Sequence, residues 1–264
     1  MKNKYTLEII FLVLVIALSL TGFSSLYFGK PVERNVFHYL HIITSLAWLM
    51  LLLSQLVLIS QQRFHLHRFI GKSIFFAGPV LVASLTLLSV HSAVKDAEVG
   101  KADFLVVQNV IVTLEMALLV FLAFILRKNR QVHGALLMST ALLFMGIALF
   151  FTLISYVPGY RIEGPETFNR FAKAAQTISF VGGLIGVLFF LKNRRTGWPW
   201  LLAGSFFILN GLLQMIVAEM DATKQLTLLV ASIGRTPAFA LSLMIFVALL
   251  WLAWRVGSPK RTKQ

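Results

Sequence analysis

Six histidines, one glutamate within a long apolar run and a handful of amides are the side chains of this chain with chemistry to do. His38, His41 and His91 fall at one set of helix ends, and His65, His67 and His133 fall at the other. Imidazoles from neighbouring helices at equal depth can ligate a haem iron from both sides, so two such clusters suggest two b-type haems. His41 with His91 is the outer candidate pair, and His67 with His133 the inner one. Two other readings stay open: interfacial histidines that pack and hydrogen-bond as polar end groups, and a metal or pH-sensing role. His65 falls in a loop and His91 at a frayed helix end, and the acids Asp96 and Glu98 near His91 are solvated loop residues, which gives zinc little support.

The remaining polar groups sort by depth along helices of about 1.5 Å rise per residue. His41, Ser45, Trp48, Leu52 and Gln55 follow one another at steps of four and three, so they form one stripe, with His38 a turn further out. Gln108 and Glu115 share a face of another helix, and Asn210 and Gln214 share a face of a third. By this count His41, Gln108 and Gln214 lie at similar shallow depth, while Trp48, Glu115 and Asn210 lie near the midplane. A carboxyl at that depth costs a few kcal/mol on insertion scales and faces a bundle interior or a cavity. Glu115 therefore reads as a neutral interhelical clasp, as a group that handles protons or cations, or as a ligand contact.

These residues must be positioned by helices in lipid. Hydrophobic residues make up 58% of the 264 and charged residues 13%, with a mean hydropathy of +0.83. A soluble domain with so little charge could not cover its surface. Eight apolar stretches near twenty residues each, at about 7–28, 37–60, 69–91, 104–126, 134–157, 172–191, 198–220 and 236–255, predict an all-α membrane bundle forming a single transmembrane domain over 1–264. The runs lack the two-residue alternation of a membrane barrel, and lipid requires backbone groups to be satisfied within each segment, so the spans are helices.

Cations set the orientation. With a cytoplasmic N-terminus, 15 of the 24 lysines and arginines fall inside, among them Arg63, Arg68, Lys72, Arg127, Lys128, Arg130, Lys192, Arg194 and Arg195. Most acids fall outside, so both termini are expected in the cytoplasm. The net charge of +14 then reflects topology and attraction to anionic headgroups, and nucleic acid is not an expected partner. Lys2 and Lys4 before the first apolar run resemble a signal peptide, but Glu8 interrupts its start and no A-x-A-like site follows, so a retained first helix is expected. The absence of cysteine removes disulfides, thiolate nucleophiles, iron–sulfur clusters and Cys-based zinc sites.

Smaller signals concern packing. Gly182 and Gly186 form a small-x-x-x-small pair that admits a neighbouring helix, read as internal packing ahead of a dimer contact. Trp198-Pro199-Trp200 starts a span with two aromatic belt anchors. Arg235 reads as a snorkelling outer-edge cation or a contact to an anionic headgroup or substrate. The segments His67 to Ser73 and His133 to Ser139 each place a His before a Ser six residues on, suggesting that the hairpins containing them are structural repeats.

The run from His38 to Gly71, with His41, Trp48, Gln55 and Leu66-His67-Arg68-Phe69-Ile70-Gly71, followed by His133 and Met138 to Leu142, resembles a broad bacterial group of predicted multi-helix membrane proteins of unknown function. That group carries a Leu-His-Arg-x-x-Gly element before one span and a His-x-x-x-Met element before a later one; here Met138 stands five residues after His133. The resemblance covers about half the chain and implies a multi-pass protein of the bacterial cytoplasmic membrane. Three functions follow as expectations: a redox protein with haem b or quinone between its helices, a proton-coupled small-solute transporter built on Glu115, and a non-catalytic assembly or regulatory partner of a membrane complex.

Overall fold

A computed structural model describes residues 5–24, 35–101 and 104–257. In chain order the helices are α1 (Thr6–Gly22), α2 (Val36–Ser60), α3 (Phe64–Gly71), α4 (Ile74–Glu98), α5 (Phe104–Ile125), α6 (Arg130–Tyr156), α7 (Asn169–Lys192), α8 (Trp198–Glu219), α9 (Thr223–Ser232) and α10 (Arg235–Val256), with a short 3-10 turn at Pro165–Thr167. No strand occurs among the described residues. Seven helices, α2, α4, α5, α6, α7, α8 and α10, are long and apolar enough to cross a membrane. The apolar α1 has 17 described residues, about 25 Å at the helical rise; the rest of the run expected at 7–28 lies partly outside the described residues.

Two departures from the expected spans have a common cause. The third run, expected at 69–91, is split: α3 ends at Gly71, a residue suited to helix ends, and α4 begins after Ser73 and continues to Glu98. His65 thus lies in a helix, and His91 sits two turns inside α4 and is buried. Hydropathy marks where lipid ends, whereas hydrogen-bonded turns of Ala, Lys and Glu carry a helix on into water. For the same reason α9, whose mixed sequence is too short and polar to span, was invisible to the hydropathy argument.

The chain forms two compact units, one of Met1–Val36, Leu49–Gly71 and Met138–Gly211, the other of Phe37–Trp48, Lys72–Leu137 and Leu212–Gln264. In the first, a Cβ on Gly186 would stand 2.7 Å from the Trp200 carbonyl and 3.1 Å from Gly204 Cα, and a Cβ on Gly182 would meet the Phe207 ring. The glycine pair on α7 therefore receives α8, whose own Gly204 completes the contact. Phe189 stacks on Trp200 at 4.1 Å, and Phe11 of α1 meets both edge-on. Lys192 Nζ at the end of α7 lies 2.6 Å from both Glu8 oxygens at the start of α1, and Ser24 meets Tyr156 at the end of α6. These contacts make α1 antiparallel to α7 and parallel to α6, and they explain how the first apolar run tolerates Glu8.

In the second unit α4 packs against α5, α9 and α10. Gly78 of α4 brings Trp48, Phe246 and Leu250 together, each 3.7 Å from where its Cβ would stand. Arg127 closes one end: its guanidinium lies 3.5 Å over the Trp254 ring and donates to the Trp254 carbonyl at 3.0 Å. The proposed repeat is not reproduced locally, because Ser73 occupies the break between two helices while Ser139 is fully buried in the middle of α6.

Candidate functional site

The start of α2 and the end of α4 form a polar cluster within the second unit. Thr44 Oγ1 lies 2.7 Å from Ser84 Oγ, which fixes the antiparallel register of the two helices. Counting six residues back along α2 and seven forward along α4 brings His38 opposite His91. Their ring centres are 5.9 Å apart with perpendicular planes. Phe37 lies 4.9 Å from the His91 ring, and the Arg235 guanidinium at the start of α10 sits 5.9 Å over Phe37. Arg235, His38, Lys95 and Glu98 all act electrostatically on His91. Gly234, at φ 75, makes the turn that delivers Arg235.

The outer pair expected from sequence was His41 with His91, but the ring found against His91 is that of His38. The register set by Thr44 and Ser84 brings His91 opposite the first turn of α2, where His38 stands and not His41. His41 faces Ser45 of its own helix, with ring nitrogens 3.4 and 3.5 Å from the hydroxyl. The grouping of Arg235 and Lys95 around the histidines was missed, since residues 144 positions apart in the chain share no local pattern.

The second cluster belongs to the first unit and joins α2 to α3. Gln55 is 8% exposed, and neither its Oε1 nor its Nε2 has a hydrogen-bond partner among the described residues. Leaving such a group unsatisfied costs about 1–3 kcal/mol. On α3, His67, Ile70 and Gly71 are half-buried while Phe64, Leu66, Arg68 and Phe69 are exposed, so the helix is amphipathic and turns His67 and Gly71, four apart, to the same side. A Cβ on Gly71 would stand 3.1 Å from Gln55 Oε1. The glycine of the Leu-His-Arg-x-x-Gly element thus makes room for the amide. His67 Nδ1 is likewise buried and unsatisfied. Burial pushes the His67 imidazole below its ordinary range; a hydrogen bond with the Gln55 backbone opposes this, and the charge of Arg68 adds to it. The ring is therefore neutral at pH 7.

His133, expected as the partner of His67, belongs to the other unit. Its Nδ1 lies 2.7 Å from the Ala123 carbonyl, and a carbonyl only accepts, so Nδ1 carries a proton. Phe124 meets the ring edge-on at 5.9 Å. Glu115 on α5 is 8% exposed and Asn210 on α8 is 9% exposed; they also belong to different units. Gln108 is half-buried, whereas Gln214 is exposed and lines no interior. Its place in a shallow polar layer is corrected: in the last two turns of α8 every residue but the half-buried Val217 is exposed, so helical phase alone does not bury Gln214. Among the described residues no group of three or more His, Asp or Glu is placed to hold a metal ion.

No family model, curated protein or solved structure matches this chain.

Proposed function

We propose that this chain is a multi-pass redox protein of the bacterial cytoplasmic membrane that holds a b-type haem between His38 and His91. The carrying observation is the approach of two imidazoles from different helices, ring centres 5.9 Å apart and planes perpendicular. Imidazoles from two neighbouring helices are a ligand set that a haem iron would take, and His38 and His91 would hold it. The surroundings suit the group's other features. Arg235 and Lys95 are cations at an interfacial depth where the two haem carboxylates would need them, and Phe37 supplies an aromatic face. Bound there, haem would supply one-electron transfer; α2 and α4 hold the two rings in register through the Thr44–Ser84 contact, and α10 supplies the charge.

Eight spans with both termini cytoplasmic are part of the same proposal. The Glu8–Lys192 ion pair supports it, because it ties the start of α1 to the basic end of α7, as a first span crossing outward and a sixth returning inward require. A proton-coupled transporter is the second reading, favoured by the burial of Glu115 in the apolar α5. A reduced-minus-oxidised absorption spectrum of detergent-purified protein, expressed with haem precursor supplied, decides between them. A stoichiometric b-type signal that His91→Ala removes and Glu115→Gln retains is the expected result. A flat spectrum sinks the haem site and brings Glu115 forward.

A further inference from the structure

We propose that Gln55 and His67 form a hydrogen-bonding site for the head group of a membrane-soluble quinone. Gln55 stands near the end of a membrane-spanning helix, so whatever completes its hydrogen bonds must reach the margin of the lipid. Its amide offers an NH2 with two hydrogens to donate and a carbonyl oxygen to accept, both atoms buried and unmet among the described residues. Beside it the neutral His67 ring has a buried nitrogen with no partner. Leu52, one turn before Gln55 on α2, and Leu56, the residue after it, are buried and apolar.

This combination selects the ligand class. A neutral site with an unmet amide and imidazole matches a neutral ligand bearing ring carbonyls, which accept from Gln55 Nε2; the reduced form, with hydroxyls, donates to Gln55 Oε1 and to the bare His67 Nδ1. An anionic headgroup would instead be drawn to the exposed cations Arg63, Arg68 and Lys72. A long isoprenoid tail suits the exposed apolar side chains of α3, where Phe64, Leu66 and Phe69 are 54%, 40% and 68% exposed. Gly71 matters because any side chain there would crowd the amide that meets the ligand. The site deepens the redox proposal by naming an electron-carrying partner, yet it concerns binding alone and is measured without any haem signal.

The test uses the full chain in phosphatidylcholine nanodiscs, with decylubiquinone in one series and menaquinone-4 in another, and reads quinone retained above that held by empty nanodiscs. Saturable one-to-one retention of at least one quinone is expected. Gln55→Met, of equal length and without polar atoms, should weaken it at least tenfold while the protein melts no lower than wild type. His67→Phe should weaken it similarly and guards against a misfolded first variant. Absence of saturable retention in the wild type overturns the proposal, as does binding within twofold of wild type in both variants. Quinone retained by a protein with a flat haem spectrum would uphold this site and sink the haem; the reverse pattern would do the opposite.

Discussion

At its first turns α2 presents His38 to His91 with Arg235, Lys95 and Glu98 in reach, whereas near its other end it presents Gln55 to a neutral imidazole. One helix thus carries two polar sites under different electrostatics. At the first, several charges surround two rings, so a ligand with its own carboxylates is matched and a neutral one gains little. At the second, burial has removed charge from the imidazole and left an amide unmet, so a neutral ligand is matched and an ion would be stranded. Interfacial depth alone does not define what a membrane protein binds; the fixed charges brought by neighbouring helices do.

Removing a ring separates the two ends of α2 most completely. His38→Ala and His91→Ala should each abolish the reduced-minus-oxidised signal, and neither should change quinone retention by more than twofold. Loss of both activities in either variant would mean that the two sites are not separate. A smaller effect should come from Arg235→Gln. The variant should keep its haem, but with one cation fewer the oxidised form is favoured, so the midpoint potential should fall by on the order of tens of millivolts. Redox titration reads this directly, and an unchanged potential would place Arg235 outside the field of the site.

The all-helical class was legible, and seven of the expected apolar runs are helices long enough to cross a membrane, because lipid imposes one rule on every segment. The stripe on α2 was legible too: Trp48, Leu52 and Gln55 are buried as their spacing required. What escaped was whatever depends on where a helix stops outside lipid or on which helix comes alongside. The register between α2 and α4, set where Thr44 meets Ser84, gives His91 the partner His38 in place of His41, and Arg235 joins them through a turn at Gly234. Gly182 and Gly186 announced a close approach, but only the fold named Gly204 as the other side. The distance between Gln55 and Gly71 was likewise hidden, although the spacing of His67 and Gly71 on one helical face was a signal that the element has an inward side.

At the neutral site the effects are smaller and opposite in sign for binding and for stability. Gln55→Met removes two unmet polar atoms from a buried position, so the ligand-free protein should gain about 1 kcal/mol, read as a higher melting temperature in detergent. A loss of stability would mean that the amide is satisfied and that the contrast between the two ends of α2 is overstated.

The smallest effect is a pH dependence. Because the folded-state value of His67 lies below its ordinary 6.5, folded and unfolded chains are both neutral there above pH 6.5 and the group contributes nothing to their difference. As the pH falls below 6.5 the unfolded chain takes up a proton that the folded chain refuses, so stability declines until the folded value is reached and is level below it. His67→Gln removes that decline while leaving the other histidines as they are, and their contributions cancel when variant and wild type are compared. Melting curves at pH 8 and pH 5 should therefore show the wild type losing more stability on acidification than the variant. Equal losses would put the His67 ring in water, and with it would go the argument that the ligand of this site is neutral.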